Sequence, residues 1–391
     1  MKKVLKVIFL VAMLMTFALA VVACGNNSNE GDTTGQATEP TTTEAGETEG
    51  GIATTLPATL IRVALIAHSP DSILDDGSFN QGAWDGVQRF ASQHGLGSDD
   101  TRFFQPHSAD DAARIALMEE AIGSGYNVLV LPGFHFIESV YEAQDYFPDV
   151  RFILLDAIPA GPDGVRIEPN VVAIEYDEHE AGFLAGYAAV IEGFRNLGFT
   201  GGIAVPAVVR FGHGFIQGAE HAANELGLGE GDVTINYHYF GLFAPSPEFQ
   251  TIASSWFAAG TEVIFSAAGG ANGSVIAAAE AQNSWAIGVD VDQGWMSERV
   301  ISSAMKALNN SVYDMLTDIL NNSFNGGRAI TFNATNNGIG LPMESSRWQN
   351  FTQTQYDAIF SQLSSGSVRV DGSLDMTTIL NAVNLVIVNE L

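Results

Sequence analysis

From Leu60 onwards, short apolar runs rich in β-branched residues alternate with segments whose apolar positions recur every three or four residues. The runs predict buried strands, and the periodic segments predict amphipathic helices. In the first half of the chain, the predicted strands are LIRVALIA (60–67), NVLVLPG (127–133) and RFILLDA (151–157), and the predicted helices lie at 78–95, 110–125 and 136–148. This alternation predicts a parallel sheet with right-handed crossovers.

A second series of similar size begins with a predicted helix at 178–196. Its predicted strands are GGIAVPA (201–207), TINYHYFG (234–241), EVIFSAAGG (262–270), WAIGVDVD (285–292) and RVISSAM (299–305). A further helix is predicted at 309–322, and a strand pair or loop at 329–342. Two successive units of this kind predict an α/β protein with two doubly wound parallel-sheet lobes.

In such sheets, ligands bind beyond the carboxyl ends of the strands, and a cleft between two lobes is the default site. The segments that follow the predicted strands are therefore the candidates for ligand binding. They are Asp75–Asn80, His107–Asp110, Gly133–Phe136, Asp156, Val208–Phe215, Ala268–Gly273, Asp290–Gln293 and Lys306.

Asp290 and Lys306 stand at the ends of two neighbouring predicted strands. A carboxylate accepts hydrogen bonds from paired hydroxyls, and an ammonium donates to hydroxyl or ring oxygens. The pair therefore suits a vicinal diol such as a ribose, with a purely structural ion pair as the alternative. Lys306 is the only lysine beyond residue 6. This favours a role that a compact ammonium fills and a guanidinium does not.

Aromatic and amide side chains in the same segments suit a flat ligand. Phe79, Phe134, Phe211 and Phe215 follow predicted strand ends, and two of these rings could sandwich a flat ligand, with stacking that contributes about 1–3 kcal/mol per base. Core packing is the alternative, because the chain has 24 phenylalanines. Asn80 could hydrogen-bond the ring edge or the amino end of a helix. The remaining candidates are Asp76 before the first helix, Asp156 as a second polar reader, and Gly269 and Gly270, which could admit a ligand closely or serve a tight turn.

Common catalytic and metal-binding motifs are incomplete in this chain. The sequence has no G-x-S-x-G nucleophile elbow, and EHEAG (178–182) supplies only half of an H-E-x-x-H zinc motif. The first predicted strand is not followed by G-x-G-x-x-G, and there is no Walker A sequence. We therefore expect neither an enzyme, nor a metal site, nor a cofactor.

The amino-terminal end has its own composition. MKKVLK is basic, residues 7–22 are apolar, and VVAC ends at Cys24, the only cysteine of the 391 residues. This order predicts a secretory signal that ends in a lipobox, so that Cys24 carries lipid; a membrane span is the alternative. Residues 25–58 contain no aromatic residue, lysine or arginine, and we expect them to form a disordered tether.

The rest of the chain is strongly acidic. Of the 16 lysines and arginines, three lie within residues 1–24, which leaves 13 against 45 aspartates and glutamates. Such a surface repels phosphate backbones, so nucleic acid is not expected as a partner.

The motifs together resemble the basic membrane protein family, also called purine nucleoside receptor lipoproteins. The resemblance runs from about Ile61 to the carboxyl terminus. It rests on DDGSFNQGAWDG, PGFHF, RFILLDA followed by EHEAGFLAGYAA, GFIQGAEHA, AAGGANGS, IGVDVDQ and SSAMKALNNSVY. Two positions depart from the family pattern: Gly77 replaces a common lysine, and GGANGS replaces a glycine-threonine-glycine turn.

The resemblance implies a type I periplasmic-binding-protein fold and assigns roles to the candidate residues. Asp290 and Lys306 match the residues that hold the ribose hydroxyls, and Gly269 and Gly270 match a loop near the sugar. Phe79 matches an aromatic residue that stacks on the base, with Phe211 or Phe215 as the opposite ring. Asn80 and Asp156 match polar groups that face the purine edge.

The resemblance also implies a function. We expect a lipid-anchored, extracytoplasmic, monomeric component of an ABC importer that captures a nucleoside, with a purine favoured, and passes it to a permease and its ATPase. The alternatives are a receptor for a sugar or other small metabolite and a nucleoside-responsive sensor. We expect the bilobed domain to occupy 59–391, with about 59–172 and about 307–328 in the first lobe and about 173–306 and about 329–391 in the second.

Overall fold

Two separate parallel sheets organise the chain, which a computed structural model describes over residues 61–391. The predicted signal segment 1–24 with Cys24, and the predicted tether 25–58, lie outside the described residues. Within the described part, the first sheet has six strands, all parallel: β1 (Val63–Ile66), β2 (Thr101–Phe104), β3 (Val128–Pro132), β4 (Arg151–Leu155), β7 (Val171–Tyr176) and β13 (Arg328–Phe332). A small antiparallel hairpin, β5 (Ala160–Gly161) and β6 (Gly164–Val165), lies apart from it.

The second sheet is built in the same way. Over residues 61–391 it has seven strands: β8 (Asn196–Gly201), β9 (Val233–Tyr239), β10 (Val263–Ala267), β11 (Trp285–Asp290), β12 (Val300–Lys306), β14 (Ile339–Gly340) and β15 (Val386–Glu390). All neighbours are parallel except β12 and β14. The spatial orders are 13-7-4-3-1-2 and 14-12-11-10-8-9-15. Both contain the doubly wound order in which the chain starts at an inner strand and adds strands on both sides of it.

Helices cover both faces of each sheet. They are α1 (Phe79–His94), α2 (Asp111–Gly123), α3 (Ile137–Tyr146), α4 (Glu178–Glu192), α5 (Pro206–Glu225), α6 (Pro247–Ala258), α7 (Asn272–Gln282), α8 (Leu308–Leu320), α9 (Gln353–Ser364) and α10 (Met376–Ala382). In the first lobe, α1 and α8 pack on one face and α2 and α3 on the other. In the second lobe, α4 and α5 pack on one face and α6 and α7 on the other. Among residues 61–391, no helix is both long and apolar enough to cross a membrane.

Strand residues alternate between the two cores, as period-two geometry requires. In β3, Val128 and Val130 face the core under α1 and α8, and Leu129 and Leu131 face the core under α2 and α3. Every residue of β3 is buried. Because both faces are covered, such strands appear in the sequence as continuous apolar runs, which explains why they could be predicted.

The lobe boundaries lie later in the chain than expected. Strand β7 pairs with β4, and β13 pairs with β7, so the first sheet extends to Tyr176 and to Phe332 instead of ending at 172 and 328. In the described part, the chain passes between the lobes three times, after Tyr176, after Lys306 and after Phe332. The passages are hydrogen-bonded to one another, as between Asp177 N and Phe332 O (3.0 Å) and between Ala307 N and Gly338 O (2.9 Å).

The predicted strand at 201–207 is wrong. The strand of this region is β8, Asn196–Gly201, and Pro206 begins helix α5. The preceding helix ends at Glu192 because Gly193 takes a left-handed conformation (φ 118°) that stops it. Amide hydrogens in the first turn of a helix have no partner within the helix. Proline, which has no amide hydrogen, can therefore start a helix without losing a hydrogen bond. The segment Val208–Phe215, predicted to follow a strand end, therefore lies within a helix.

Glycines bring α4 and α5 into backbone contact. A Cβ at Gly182 or Gly186 would overlap the carbonyl oxygen of Phe211 or Phe215, respectively. In the other direction, a Cβ at Gly214 would overlap the carbonyl of His179, and one at Gly218 that of Phe183. The motifs GFLAG and GFIQG thus encode a helix–helix contact, which also holds Phe211 at the cleft.

We expect Gly214→Ala to destabilise the protein by at least about 1–3 kcal/mol, because the added methyl group has no space between the helices. Denaturant unfolding measures this change. Gly273→Ala is the matched control, since nothing lies within 4 Å of its would-be Cβ in α7. Alanine there should stabilise by about 0.5–1 kcal/mol through helix propensity. Equal effects of the two substitutions would contradict the packing argument.

Candidate ligand-binding site

A cavity of about 540 Å³ lies between the two lobes, at the carboxyl ends of both sheets. The first lobe contributes the loop after β1, the turn after β3 and Asp156 after β4. The second lobe contributes the residues between β8 and α5, the start of α5, the residues that follow β9 and β10, and the last residues of β11 and β12. The position follows from topology, because parallel strands of a doubly wound sheet open at the same edge.

Lys306, the last residue of β12, lies at the centre of a buried charge cluster, with a side chain only 2% exposed. Its Nζ atom is 2.5 Å from Asp156 Oδ2, 3.3 Å from Asp290 Oδ1 and 3.9 Å from Glu178 Oε1. Arg210 on α5 approaches the other side of Glu178, with Nη1 3.6 Å from Oε2. The predicted proximity of Asp290 and Lys306 is present, and the sequence did not predict the contacts with Asp156 and Glu178.

The two aspartates come from different lobes and share an unusual backbone conformation. Asp156 follows β4 with φ 55°, and Asp290 ends β11 with φ 68°. A left-handed conformation at a non-glycine residue costs about 1–3 kcal/mol and occurs preferentially at functional sites. Asp290 also accepts a hydrogen bond from Ser78 Oγ (2.6 Å), which joins it to the start of α1 across the cleft. One oxygen of Asp156, Oδ1, is buried without a hydrogen-bond partner within residues 61–391.

The cluster carries more acid than base. Burial by itself lowers the pKa of Lys306, but Asp156, Asp290 and Glu178 offset this effect and raise the pKa above its ordinary value. Burial raises the pKa of Asp156, which Lys306 opposes. Burial and the charge of Asp156 raise the pKa of Glu178 to about 8. Burial and Asp156 thus favour the protonated form of Glu178, while the charges of Lys306 and Arg210 oppose the rise in its pKa.

Aromatic rings surround the ammonium. Nζ of Lys306 lies 4.5 Å from the ring centroid of Phe79, 5.4 Å from that of Tyr176 and 5.6 Å from that of Phe211. Phe79 and Phe211 line the cavity from opposite lobes. Phe215 does not, because one helical turn places it in the core of the second lobe, fully buried against Phe265 (5.4 Å). Of the two phenylalanines left open by the sequence, only Phe211 lines the cavity.

Asp76 and Asn80 hold the loop before α1. Asp76 accepts hydrogen bonds from the backbone amides of Ser78, Asn80 and Gln81, as a capping side chain does. Burial raises the pKa of Asp76 to about 6, although these amides oppose the rise. The side chain of Asn80 donates to Ile73 O (3.3 Å). Both residues line the cavity and also have these structural partners.

The glycine turn after β10 lies against a loop that the sequence did not single out. Gly269 has φ 56°, and its would-be Cβ lies 3.5 Å from the ring of Phe243. Phe243 O accepts the amide hydrogen of Ala271 (2.8 Å). Gly269, Gly270 and the segment Leu242–Pro245 all line the cavity. The segment His107–Asp110, also predicted to bind ligand, has other roles at its two ends: Asp110 caps α2, and His107 is exposed.

A second hydrogen bond links the lobes beside the cavity. Gln293, fully buried, donates from Nε2 to Gly77 O (2.8 Å). Its Oε1 accepts from Val289 N (3.0 Å) and from Asn272 Nδ2 (2.9 Å). With the bond between Ser78 and Asp290, this link fixes the start of α1 against the end of β11.

Glu178 was missed because β7 was missed. VVAIEY (171–176), apolar except for Glu175, ends one residue before EHEAG, but it was not predicted as a strand. Once β7 is recognised as a neighbour of β4, Glu178 follows a strand end just as Asp156 does. The incomplete zinc motif therefore contributes a carboxylate to the charge cluster. Over residues 61–391, no group of three or more metal-ligating side chains has a geometry that could hold a metal ion.

Comparison with known proteins identifies the family. Residues 62–369 match the family model of PnrA-like ABC transporter substrate-binding proteins. The chain belongs to this family. A nucleoside-binding protein of an ABC transporter from Lactococcus lactis, BmpA, is 28% identical over 324 residues, which are 78% of this chain and 86% of that protein. Basic membrane protein A1 of Borrelia garinii is 27% identical over 293 residues, covering 73% of this chain and 81% of that protein.

A solved structure confirms the fold of this family member. A solute-binding protein of an ABC transporter system from Aeropyrum pernix superimposes with a TM-score of 0.69 at 21% identity. The superposition covers 82% of this chain and 96% of that one. The predicted α/β architecture of the type I periplasmic-binding-protein fold is therefore confirmed. The family consists of substrate-binding proteins, which agrees with the incomplete catalytic motifs.

We expect Glu178→Gln to change how stability depends on pH. The folded-state pKa of about 8 lies above the ordinary value of 4.5, so folding takes up a proton between these values. This contribution to stability is complete below pH 4.5 and is lost as the pH rises through 8. Between these pKa values, the free energy of unfolding of the unsubstituted protein should fall by about 1.4 kcal/mol per pH unit because of Glu178. Glu178→Gln should lack this fall, so its stability relative to the unsubstituted protein should increase with pH.

Denaturant unfolding between pH 5 and pH 9 measures this slope. Glu230→Gln at an exposed position is the control and should leave the pH dependence unchanged. Parallel stability curves for the unsubstituted protein and Glu178→Gln would show that Glu178 is ionised in the folded state at neutral pH.

Proposed function

We propose that this protein captures a nucleoside, with a purine base favoured, in the cavity between its lobes and delivers it to an ABC importer. The observation that carries the proposal is the position of Lys306. Its ammonium lies between carboxylates of both lobes and beside the rings of Phe79 and Phe211. One small region of the cavity thus offers charged partners for hydroxyl groups and aromatic faces for a heterocycle.

The charged part suits a ribose. Asp290 and Lys306 both line the cavity and lie 3.3 Å apart, so two neighbouring hydroxyl groups can reach the carboxylate and the ammonium together. Hydrogen bonds to charged groups contribute about 1.5–3 kcal/mol each, more than neutral ones. Asp290 is already oriented by Ser78, which reduces the cost of ordering it for a ligand.

The charge of the cavity favours nucleosides over nucleotides. Among the described residues that line it, five are aspartates (Asp71, Asp75, Asp76, Asp156 and Asp290), and Lys306 is the single lysine or arginine. Lys306 is already paired with two of these aspartates. A phosphate group would therefore meet negative charge without a free cation to balance it. An uncharged ligand avoids this repulsion.

The names of the relatives support the transport role and the location. The Lactococcus relative is named as a nucleoside-binding protein of an ABC transporter, and the Borrelia relative as a membrane protein. We propose an extracytoplasmic monomer anchored by lipid on Cys24, with residues 25–58 as tether. The three passages between the lobes would serve as the hinge about which they close on the ligand. The closed form would then bind the permease.

Calorimetry on protein stripped of ligand by unfolding and refolding tests the proposal. We expect tight binding of at least one purine nucleoside among guanosine, adenosine and inosine, weaker binding of uridine, and no heat with ribose. Guanosine monophosphate should bind at least tenfold more weakly than guanosine because of the acidic lining. Binding of ribose without any nucleoside would favour a sugar receptor and contradict the proposal.

Asp290→Asn tests the assignment of the ribose site. The substitution keeps the shape of the side chain but removes the charge, and we expect affinity for the preferred nucleoside to fall by about 10- to 100-fold. The matched control is Asp163→Asn in the exposed hairpin between β5 and β6, which should bind as the unsubstituted protein does. Unchanged affinity of Asp290→Asn would remove Asp290 from the site.

A further inference from the structure

Three aromatic rings form a stack on the wall of the cavity. His68 follows β1 and His135 follows β3, and these strands are neighbours, so their ends meet at one edge of the first sheet. The rings of His68 and His135 are 4.0 Å apart between centroids, with an interplanar angle of 3°. The ring of Phe134 lies 3.9 Å from that of His135. All three residues line the cavity.

The stack covers both faces of His135. Two rings whose centroids each lie about 4 Å from that of His135 cannot share one face without overlapping, so His68 and Phe134 lie on opposite faces. This leaves the edge of the imidazole, with its two nitrogens, as the part that can meet a ligand. Stacking on both sides restrains the orientation of the ring before any ligand binds.

The nitrogens of His135 have no structural task. Within residues 61–391, neither nitrogen has a protein hydrogen-bond partner, and the side chain is only partly buried. His68 differs, because Ser72 Oγ lies within 3.0 Å of its Nδ1. An imidazole edge that is held in a fixed orientation on a cavity wall, with no protein partner, is suited to hydrogen-bond a ligand.

Both imidazoles are neutral at physiological pH. Burial and the nearby Arg114 lower the pKa of His135 to about 4. Burial, His135 and Arg114 lower the pKa of His68 to about 3. Arg114 is itself buried and donates to His68 O (3.0 Å). A neutral imidazole presents one donor and one acceptor, which suits an uncharged ligand with groups of both kinds.

His135 lies beside the ring of Phe79. Gly133 separates them: its would-be Cβ is 3.9 Å both from the Phe79 ring and from His135 Nδ1. The same Phe79 ring lies 4.5 Å from Lys306 Nζ. A ligand with its hydroxyl groups at Lys306 and its heterocycle on Phe79 therefore has that heterocycle on the side of the cavity that His135 lines.

We propose that His135 is a specificity-determining residue that hydrogen-bonds the substituted edge of the ligand's heterocycle, held in place by His68 and Phe134. The inference rests on the proposed nucleoside function and adds to it. It assigns base discrimination to the first lobe and to an uncharged group, in contrast to the charged cluster that holds the sugar. Purine riboside, whose ring lacks exocyclic groups, offers less to this residue than guanosine, inosine or adenosine.

Calorimetry with His135→Phe tests this role, because phenylalanine preserves the stack and removes both nitrogens. We expect affinity for the nucleoside preferred by the unsubstituted protein to fall about five- to tenfold, the range of one or two neutral hydrogen bonds. Affinity for purine riboside should change less than twofold. The ratio of the affinity for the preferred nucleoside to the affinity for purine riboside should therefore fall. His107→Phe, at an exposed position outside the cavity, is the control and should leave the ratio unchanged.

A second variant separates hydrogen bonding from packing. His135→Gln retains a donor and an acceptor, and we expect it to recover part of the discrimination that His135→Phe loses, even if its unfolding temperature is lower. An unchanged ratio in both variants, with nucleosides still bound, would overturn this inference and leave the nucleoside function standing. Equal weakening of both ligands would assign His135 a packing role and would also overturn it. Failure of the unsubstituted protein to bind any nucleoside would overturn the function and this inference together.

Discussion

The burial of one ammonium group constrains the whole binding region. Removing a charged group from water costs several kcal/mol, and only close opposite charges with good geometry offset that cost. Lys306 meets this condition with carboxylates that come from β4, from β11 and from the start of α4. Asp156 belongs to the first lobe and Asp290 to the second, and Glu178 follows the first passage between them. The positive charge of Lys306 is therefore compensated only when the two lobes have this relative position.

This dependence relates the fold to the function. The three passages between the lobes run side by side, and two of them carry members of the cluster, Glu178 and Lys306. A ligand that bridges Asp290 and the first-lobe rings adds contacts between the same two lobes. In the proposed function, binding and closure would therefore act on one set of charges. The left-handed backbone at Asp156 and Asp290 shows that the fold accepts local strain to place these carboxylates.

Packing far from the charges also serves the site. The glycines of α4 and α5 allow backbone contact between two helices, and this contact fixes the amino-terminal part of α5 beside the cleft. Arg210 and Phe211, adjacent in that part, then reach Glu178 and the surroundings of Lys306, respectively. The glycine motifs on which the family resemblance partly rests are thus mainly requirements of helix packing, and their effect on the cavity is indirect.

The sequence by itself determined the architecture, because buried parallel strands leave continuous apolar runs and amphipathic helices leave a regular period. It also indicated that Asp290 and Lys306 each stand at the end of a strand, since a strand end is a local property. Only the tertiary structure decided that Asp156 and Glu178 contact Lys306, that Phe211 and not Phe215 lines the cavity, and that His68 and His135 stack. These facts depend on strand order, on helix rotation and on lobe position, which join residues up to 150 positions apart along the chain, as Asp156 and Lys306 are. No local pattern of polar and apolar residues carries that information. The sequence around each residue fits its own helix or strand equally well whether or not the two residues meet in the folded protein.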